Sequence, residues 1–262
     1  MDITTLQHQL ADLPLGKVAY FSVVGSTNSE AIRRIEDGAP HLSLVVADEQ
    51  TSGRGRRDRI WYTPPRVALS FSLVIRPERI GALSAPRLTG LGALAVCDVL
   101  QADYGLPANI KWPNDVLIDG SKLAGVLVEA QWQGDKIQSA VLGIGINVAR
   151  ESVPSQGELD FPATSVETVF GGPVDRWKLL KEVLVALLAR LPQLDQDEFI
   201  QAWEANLAYQ QDLVQLIQEG AEPITGQLLG LDRDGFLKLR LLSGEEKLYQ
   251  SGDLKLRLVD RS

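Results

Sequence analysis

Cysteine and histidine are scarce in this sequence of 262 residues, and basic residues are outnumbered by acidic ones. The single cysteine, Cys97, excludes an intramolecular disulfide framework. It falls in the apolar stretch Leu91–Leu100, which reads as a buried helix, so it is expected to be a small core residue rather than a nucleophile. The two histidines, His8 and His41, sit far apart, and with one cysteine they argue against a structural zinc site. No uninterrupted apolar run reaches the ~18 residues of a membrane span. The N-terminus lacks the basic start and apolar core of a secretory signal, so a cytoplasmic protein is expected. Lysine and arginine total 26 against 34 acidic residues, a formal charge of −8. That balance disfavours a general affinity for DNA or RNA, which rests on basic surface.

What is present is an ordinary globular composition, 45% hydrophobic and 23% charged. The length allows one large domain or two smaller ones. Residues 1–13 read as a short helix, Lys17–Val24 as a strand and Ser29–Glu36 as a helix. Leu42–Ala47 and Val67–Ile75 are strand-like, and 50–66 is a long loop rich in Gly, Arg and Pro. Pro86–Tyr104 has the composition and length of a helix. Leu123–Gln131 and Ile137–Ile146 read as consecutive strands joined at Gly134-Asp135. Val174–Leu191 carries Trp177, Leu180, Val183, Leu184, Leu187, Leu188 and Leu191 on one helical stripe, and Asp195–Leu207 is a further helix. After about residue 211 the texture changes to short strand-like runs with a hairpin signal at Asp234-Gly235. The division expected is 1–210 and a small all-β module, 211–262.

The densest chemistry lies in Gly53-Arg54-Gly55-Arg56-Arg57-Asp58-Arg59. Arginines stay charged and present a planar fork that suits carboxylate and phosphate, while glycines let backbone N–H groups approach a ligand closely. Alone, such a run reads more often as a solvated surface or a nucleic-acid patch than as an anion clamp. Four further features accompany it: Ser26-Thr27-Asn28, Lys111-Trp112-Pro113-Asn114-Asp115, Lys122-Leu123-Ala124-Gly125 and Gly143-Ile144-Gly145-Ile146-Asn147. Binding groups accumulate on loops at strand ends, where most of these fall.

In this order and spacing, the five motifs resemble those of the biotin–protein ligases, and the resemblance covers nearly the whole chain. It implies an α+β fold: a mixed sheet with helices like the core of class II aminoacyl-tRNA synthetases, ending in a small SH3-like β-barrel. It implies an ATP-dependent ligase that makes biotinyl-5′-AMP and passes biotin to a lysine of a biotin carboxyl carrier protein, the acetyl-CoA carboxylase subunit. Lys122 and Arg56 are the expected catalytic residues. Ser26, Thr27, Asn28, Gln50, Gly53, Arg54, Gly55, Arg56, Lys122 and Gly125 are expected around biotin. Arg54, Arg56, Arg57, Trp61, Lys111, Asn114, Asp115, Lys122 and Asn147 are expected on the ATP side. Mg²⁺ is implied with ATP, its ligands being undecided between Asp115 and the phosphates. Trp112 divides between core packing and the site.

Two departures stand out. Asp58 occupies a usual glycine of the arginine loop, which bears on the turn there. Only about 16 residues precede the first strand, too few for a three-helix DNA-binding unit, so a ligase without repressor activity is expected, with no nucleic-acid or membrane partner. A homodimer through sheet edges is compatible with the resemblance. Two rivals remain: a lipoate or octanoate attachment enzyme on the same core, and a noncatalytic biotin-responsive regulator. The arginine loop argues against the first and Lys122 against the second.

Overall fold

Strand β3 (Ala68–Ile75) displays the rule that builds this fold. Alternate residues of a strand point to opposite faces. Leu69, Phe71, Leu73 and Ile75 enter the main core, whereas Val74 packs on the other face against Ala31 and Ile35. Ser70 and Ser72 share that second face, although they too are buried. A polar pair on an otherwise apolar strand marks where something other than core is built.

The computed structural model describes residues 3–57, 59–76, 85–134, 136–154, 161–218, 220–250 and 255–259. Its larger sheet joins β3 to β1 (Val18–Phe21), β2 (Leu44–Ala47), β4 (Asn109–Lys111), β5 (Asp115–Ile118), β6 (Ser121–Gln133) and β7 (Lys136–Asn147). The order is β1-β2-β3-β7-β6-β5-β4. Strands β1 and β2 are parallel and the other neighbours antiparallel, so the sheet is mixed as expected. Helices α1 (Ile3–Gln9), α3 (Ala85–Ala102), α5 (Arg176–Arg190) and α6 (Asp197–Ala205) send Leu6, Leu91, Leu184 and Phe199 into the main core. Cys97 is fully buried there, and burial pushes its thiol pKa up. Helix α2 (Thr27–Glu36) covers the opposite face, and α4 (Val166–Phe170) is a short turn after the main sheet.

Helix α5 starts where Asp175 accepts hydrogen bonds from the N–H groups of Trp177 and Lys178. Such a cap satisfies donors that the first turn leaves open. Leu180, Val183, Leu184 and Leu187 of the expected stripe are buried, and Leu179 joins them. Trp177 and Leu188 are only partly buried.

The C-terminal strands are β8 (Leu213–Ile217), β9 (Ile224–Leu231), β10 (Leu237–Leu241), β11 (Glu246–Tyr249) and β12 (Lys255–Leu258). They form an antiparallel sheet of order β11-β10-β9-β8-β12. Among the described residues no pairing joins β11 to β12, so a separate five-stranded sheet stands where a closed barrel was expected. The turn at Gly235 takes a φ of 81°, a left-handed conformation that glycine tolerates. It is tied to the larger sheet's part of the chain by Trp112, whose Nε1 donates to the Gly235 carbonyl at 3.1 Å. Trp112 is 1% exposed and sits in the core. Glu204 of α6 accepts from the Leu231 N–H at 3.0 Å, a second tie between the two parts. No helix among the described residues is long and apolar enough to cross a membrane.

Candidate active site

The α2 face of the large sheet carries a cavity of about 560 Å³. Its walls are the 50–66 loop, the β4–β5 turn, the segment before α4 and the start of β12. Eight basic side chains and one acidic side chain, Asp115, line it among the described residues. In a protein of net charge −8 this is a local inversion of sign, and it suits a ligand carrying several negative charges.

The stem of the arginine loop is fixed at Asp48. This carboxylate accepts from Tyr20 Oη at 2.6 Å and from Arg176 Nη2 at 3.0 Å. Burial, reinforced by the bond to Asp48, pushes the Tyr20 hydroxyl up to about 12. Across the loop, Arg66 N–H donates to the Asp48 carbonyl at 3.1 Å. Nearer the tip, Gly55 N–H donates to the Arg59 carbonyl and Trp61 N–H to the Gly53 carbonyl. The chain turns at Arg57 with a φ of 59°; Asp58 lies outside the described residues.

One end of the cavity is a neutral polar network. Thr27 donates to Gln50 Oε1 from its N–H at 2.8 Å and from its hydroxyl at 3.1 Å. Gln50 Nε2 donates to Thr63 Oγ1 at 3.0 Å. Ser72 Oγ lies 2.6 Å from Asn28 Oδ1 and 2.8 Å from Thr27 Oγ1. Its one proton serves a single contact at a time. Ser26 occupies the N-cap position of α2, makes no side-chain cap bond and lines the cavity.

The opposite end is cationic. Lys122 Nζ lies 2.6 Å from Asp115 Oδ1 and Lys111 Nζ 3.9 Å from Asp115 Oδ2. Burial pushes the Lys111 amine down to about 8, partly offset by Asp115. Its Nζ also sits 3.7 Å from the centre of the Phe161 ring. Arg56 Nη1 donates to Asn114 Oδ1 at 3.1 Å, and Asn114 Nδ2 donates in turn to the Val126 carbonyl. Lys122 is held by its backbone: its N–H donates to the Pro162 carbonyl at 2.7 Å and its carbonyl accepts from Thr164 N–H at 2.9 Å. Asn147 Nδ2 donates to the Thr164 carbonyl, closing the same segment.

Glycines of β7 make room for this furniture. A Cβ on Gly145 would lie 2.3 Å from the Trp61 indole, and one on Gly143 would lie 2.0 Å from Asn28 Oδ1. Cβ atoms essentially never come that close, so a side chain at either position would have to displace its neighbour. Gly125, paired with Gly145 across the sheet, lies under the same indole.

Of the residues expected to be catalytic or to contact biotin or ATP, Gly53 alone is off the cavity wall, its carbonyl engaged by Trp61. Arg54 is on the wall but donates to Glu129 at 2.8 Å. Sequence reasoning missed Ser72, Glu129, Phe161 and Arg257. Period-2 spacing from Ser70 and from Gly125 exposes the first two. Arg257 on β12 reaches the site only through docking of the C-terminal sheet; it stands 5.0 Å from the Phe161 ring. No group of three or more potential metal-binding side chains occurs among the described residues. Asp115, the one lining carboxylate, already faces two ammonium groups, so this donor set does not build a protein metal cage.

Comparison with known proteins gives the geometry a family. Residues 20–147 match the biotin/lipoate A/B protein ligase family, and residues 214–257 match the biotin protein ligase C-terminal domain. The biotin–[acetyl-CoA-carboxylase] ligase of Paracoccus denitrificans is 36% identical over 229 residues, covering 84% of this chain and 93% of that protein. The bifunctional ligase/repressor BirA of Bacillus spizizenii is 35% identical over 241 residues, covering 90% of this chain and 73% of the relative. The Aquifex aeolicus biotin protein ligase, solved in complex with biotin and ATP, superposes with a TM-score of 0.79 at 30% identity, covering 93% of this chain and 99% of its own. The chain therefore belongs to the biotin protein ligase family.

Proposed function

We propose that this protein activates biotin with ATP and transfers it to a lysine of a biotin carboxyl carrier protein, that of acetyl-CoA carboxylase. The observation that carries the reading is the polarity of the cavity: a neutral hydrogen-bonding network at one end and a cluster of cations at the other. Biotin has the matching halves, a polar uncharged ureido ring and a carboxylate joined by an apolar chain. Ser26, Thr27, Asn28 and Gln50 are read as the ureido contacts. Gly125 is read as flooring the apolar part.

In the first step a biotin carboxylate oxygen attacks the α-phosphorus of ATP, the α–β phosphoanhydride bond breaks, and pyrophosphate leaves. Two anions must meet, so catalysis is mostly positioning and charge stabilisation. Lys122 is read as the group that bridges carboxylate and α-phosphate, exchanging Asp115 for ligand oxygens. Arg56 and Arg57, with Gly53 and Gly55 giving the loop its shape, are read as covering the mixed anhydride and excluding water. Arg54 anchors that loop. Trp61, Lys111, Asn114 and Asn147 are read as the nucleotide wall, joined by Arg257. Mg²⁺ enters with the phosphates of ATP. In the second step the carrier's lysine amine attacks the acyl carbon and AMP leaves. Residues 1–210 would form the catalytic part and 211–262 an SH3-like module that completes the nucleotide end.

The test is formation of biotinyl-5′-AMP by the purified chain, with lipoate in place of biotin as the comparison. Adenylate from biotin and not from lipoate supports the reading; preference for lipoate would assign the protein to the other branch of the chemistry.

A further inference from the structure

Glu129 lies four residues beyond Gly125 on β6, on the face that carries the cavity, yet it does not line the cavity. One of its carboxylate oxygens, Oε2, accepts from two groups that do belong to the site. Arg54 Nη2 donates to it at 2.8 Å and Asn28 Nδ2 at 2.7 Å. Arg54 comes from the tip of the arginine loop and Asn28 from the first turn of α2. Asn28 is 4% exposed, and its other amide atom is engaged by Ser72. Hence Glu129 fixes which way the Asn28 amide points.

We propose that Glu129 is a positioning residue that latches the arginine loop to the polar end of the cavity, a role that rests on the biotin-ligase reading for its meaning. Two observations point to a latch rather than a permanent tie. The stem of the loop is fixed at Asp48, which is 3% exposed. The tip contact is far wetter, with side-chain exposures of 42% for Arg54 and 27% for Glu129. A solvated ion pair is weak enough to open and close at little cost. Because one oxygen serves both partners, a ligand that repositions the Asn28 amide also repositions the acceptor of Arg54. Glu129 thereby couples occupancy of the polar end to closure of the loop.

The test uses the full chain as wild type, Glu129→Met, Arg54→Met and the double variant, each checked as folded by thermal unfolding. Hydrogen exchange of the loop tip in ligand-free protein reads the latch without any activity. We expect roughly two- to fivefold faster exchange in each single variant, the scale of one lost partly exposed ion pair, and no further gain in the double. Unchanged exchange in Glu129→Met, or effects that add fully in the double variant, overturns the latch. Adenylate formation by the wild type separately tests the ligase reading, so the two can fail independently. In active protein, Glu129→Gln keeps an acceptor for Asn28 but loses the charge facing Arg54. We therefore expect a near-normal KM for biotin together with faster escape of the adenylate. A biotin KM raised as much as in Glu129→Met, with escape unchanged, contradicts the division of roles.

Discussion

Replacing Gly143 with alanine is the sharpest probe of the polar end. The backbone there is not left-handed, so alanine carries no conformational penalty, and its whole effect is steric. The new Cβ would sit 2.0 Å from Asn28 Oδ1 and 2.8 Å from its Cγ. Restoring ordinary contact requires a shift of more than about 1 Å. The Asn28 amide is held by bonds of 2.6 Å to Ser72 and 2.7 Å to Glu129, with a longer one of 3.3 Å to the Leu127 carbonyl. Such a shift breaks or badly stretches the first two. With about 1 kcal/mol for the neutral bond and about 2 kcal/mol for the one to a carboxylate, the loss is about 3 kcal/mol. That loss appears in the unfolding curve; if Asn28 also holds biotin, its displacement removes a ligand hydrogen bond of about 1.4 kcal/mol and affinity falls by about tenfold. Titration calorimetry with biotin, beside a urea unfolding curve, measures both. Gly25→Ala is the control: an added Cβ meets nothing within 4 Å there. Biotin affinity within about twofold of wild type in Gly143→Ala would refute the placement of Asn28 in the biotin pocket.

Two further outcomes follow from the cationic end and the contact between the two sheets' parts of the chain. Lys111 is pushed down to about 8 by burial, so its positive charge is present below that pH and lost above it. The KM for ATP should therefore rise between about pH 7 and 9, and Lys111→Arg, which stays charged, should flatten the rise; an identical profile in the variant would remove Lys111 from the nucleotide wall. Trp112→Phe keeps the ring packing but orphans the Gly235 carbonyl, and should cost about 1–2 kcal/mol. An unchanged urea midpoint would deny that this bond secures the C-terminal sheet.

Much of the architecture was legible because its signals are local. Alternation in Ala68–Ile75 and the apolar length of Ala85–Ala102 depend on near neighbours, and those elements formed as expected. The strand runs after residue 211 also fell where turn chemistry puts them. The closure of those strands was not legible, because it depends on pairing between β11 and β12, which lie at opposite edges of the observed order. Site residues brought by motifs were found together because the motifs sit at strand ends, at the start of α2 or on strand faces that open to one cavity. Glu129 escaped notice since a charged residue near a hairpin reads as solvated surface, and only its partners 75 and 101 positions away reveal otherwise. Trp112 meets both of its readings: it lines the cavity, while its indole is buried and donates to the Gly235 carbonyl. Arg257 could be placed on the cavity wall beside Phe161 only once the packing of a separate sheet was seen.

The central claim is that the Lys122 ammonium, at the cationic end of a cavity whose other end is uncharged, joins a carboxylate to a nucleotide. Mass spectrometry of the products after incubating native protein with biotin, ATP and Mg²⁺ measures this directly, with Lys122→Met run in parallel. The account predicts biotinyl-5′-AMP and pyrophosphate from the wild type, and a rate lower by about a hundredfold or more in the variant, the scale for losing one transition-state charge contact. Adenylate formation at an undiminished rate by folded Lys122→Met, or none from the folded wild type, would contradict it.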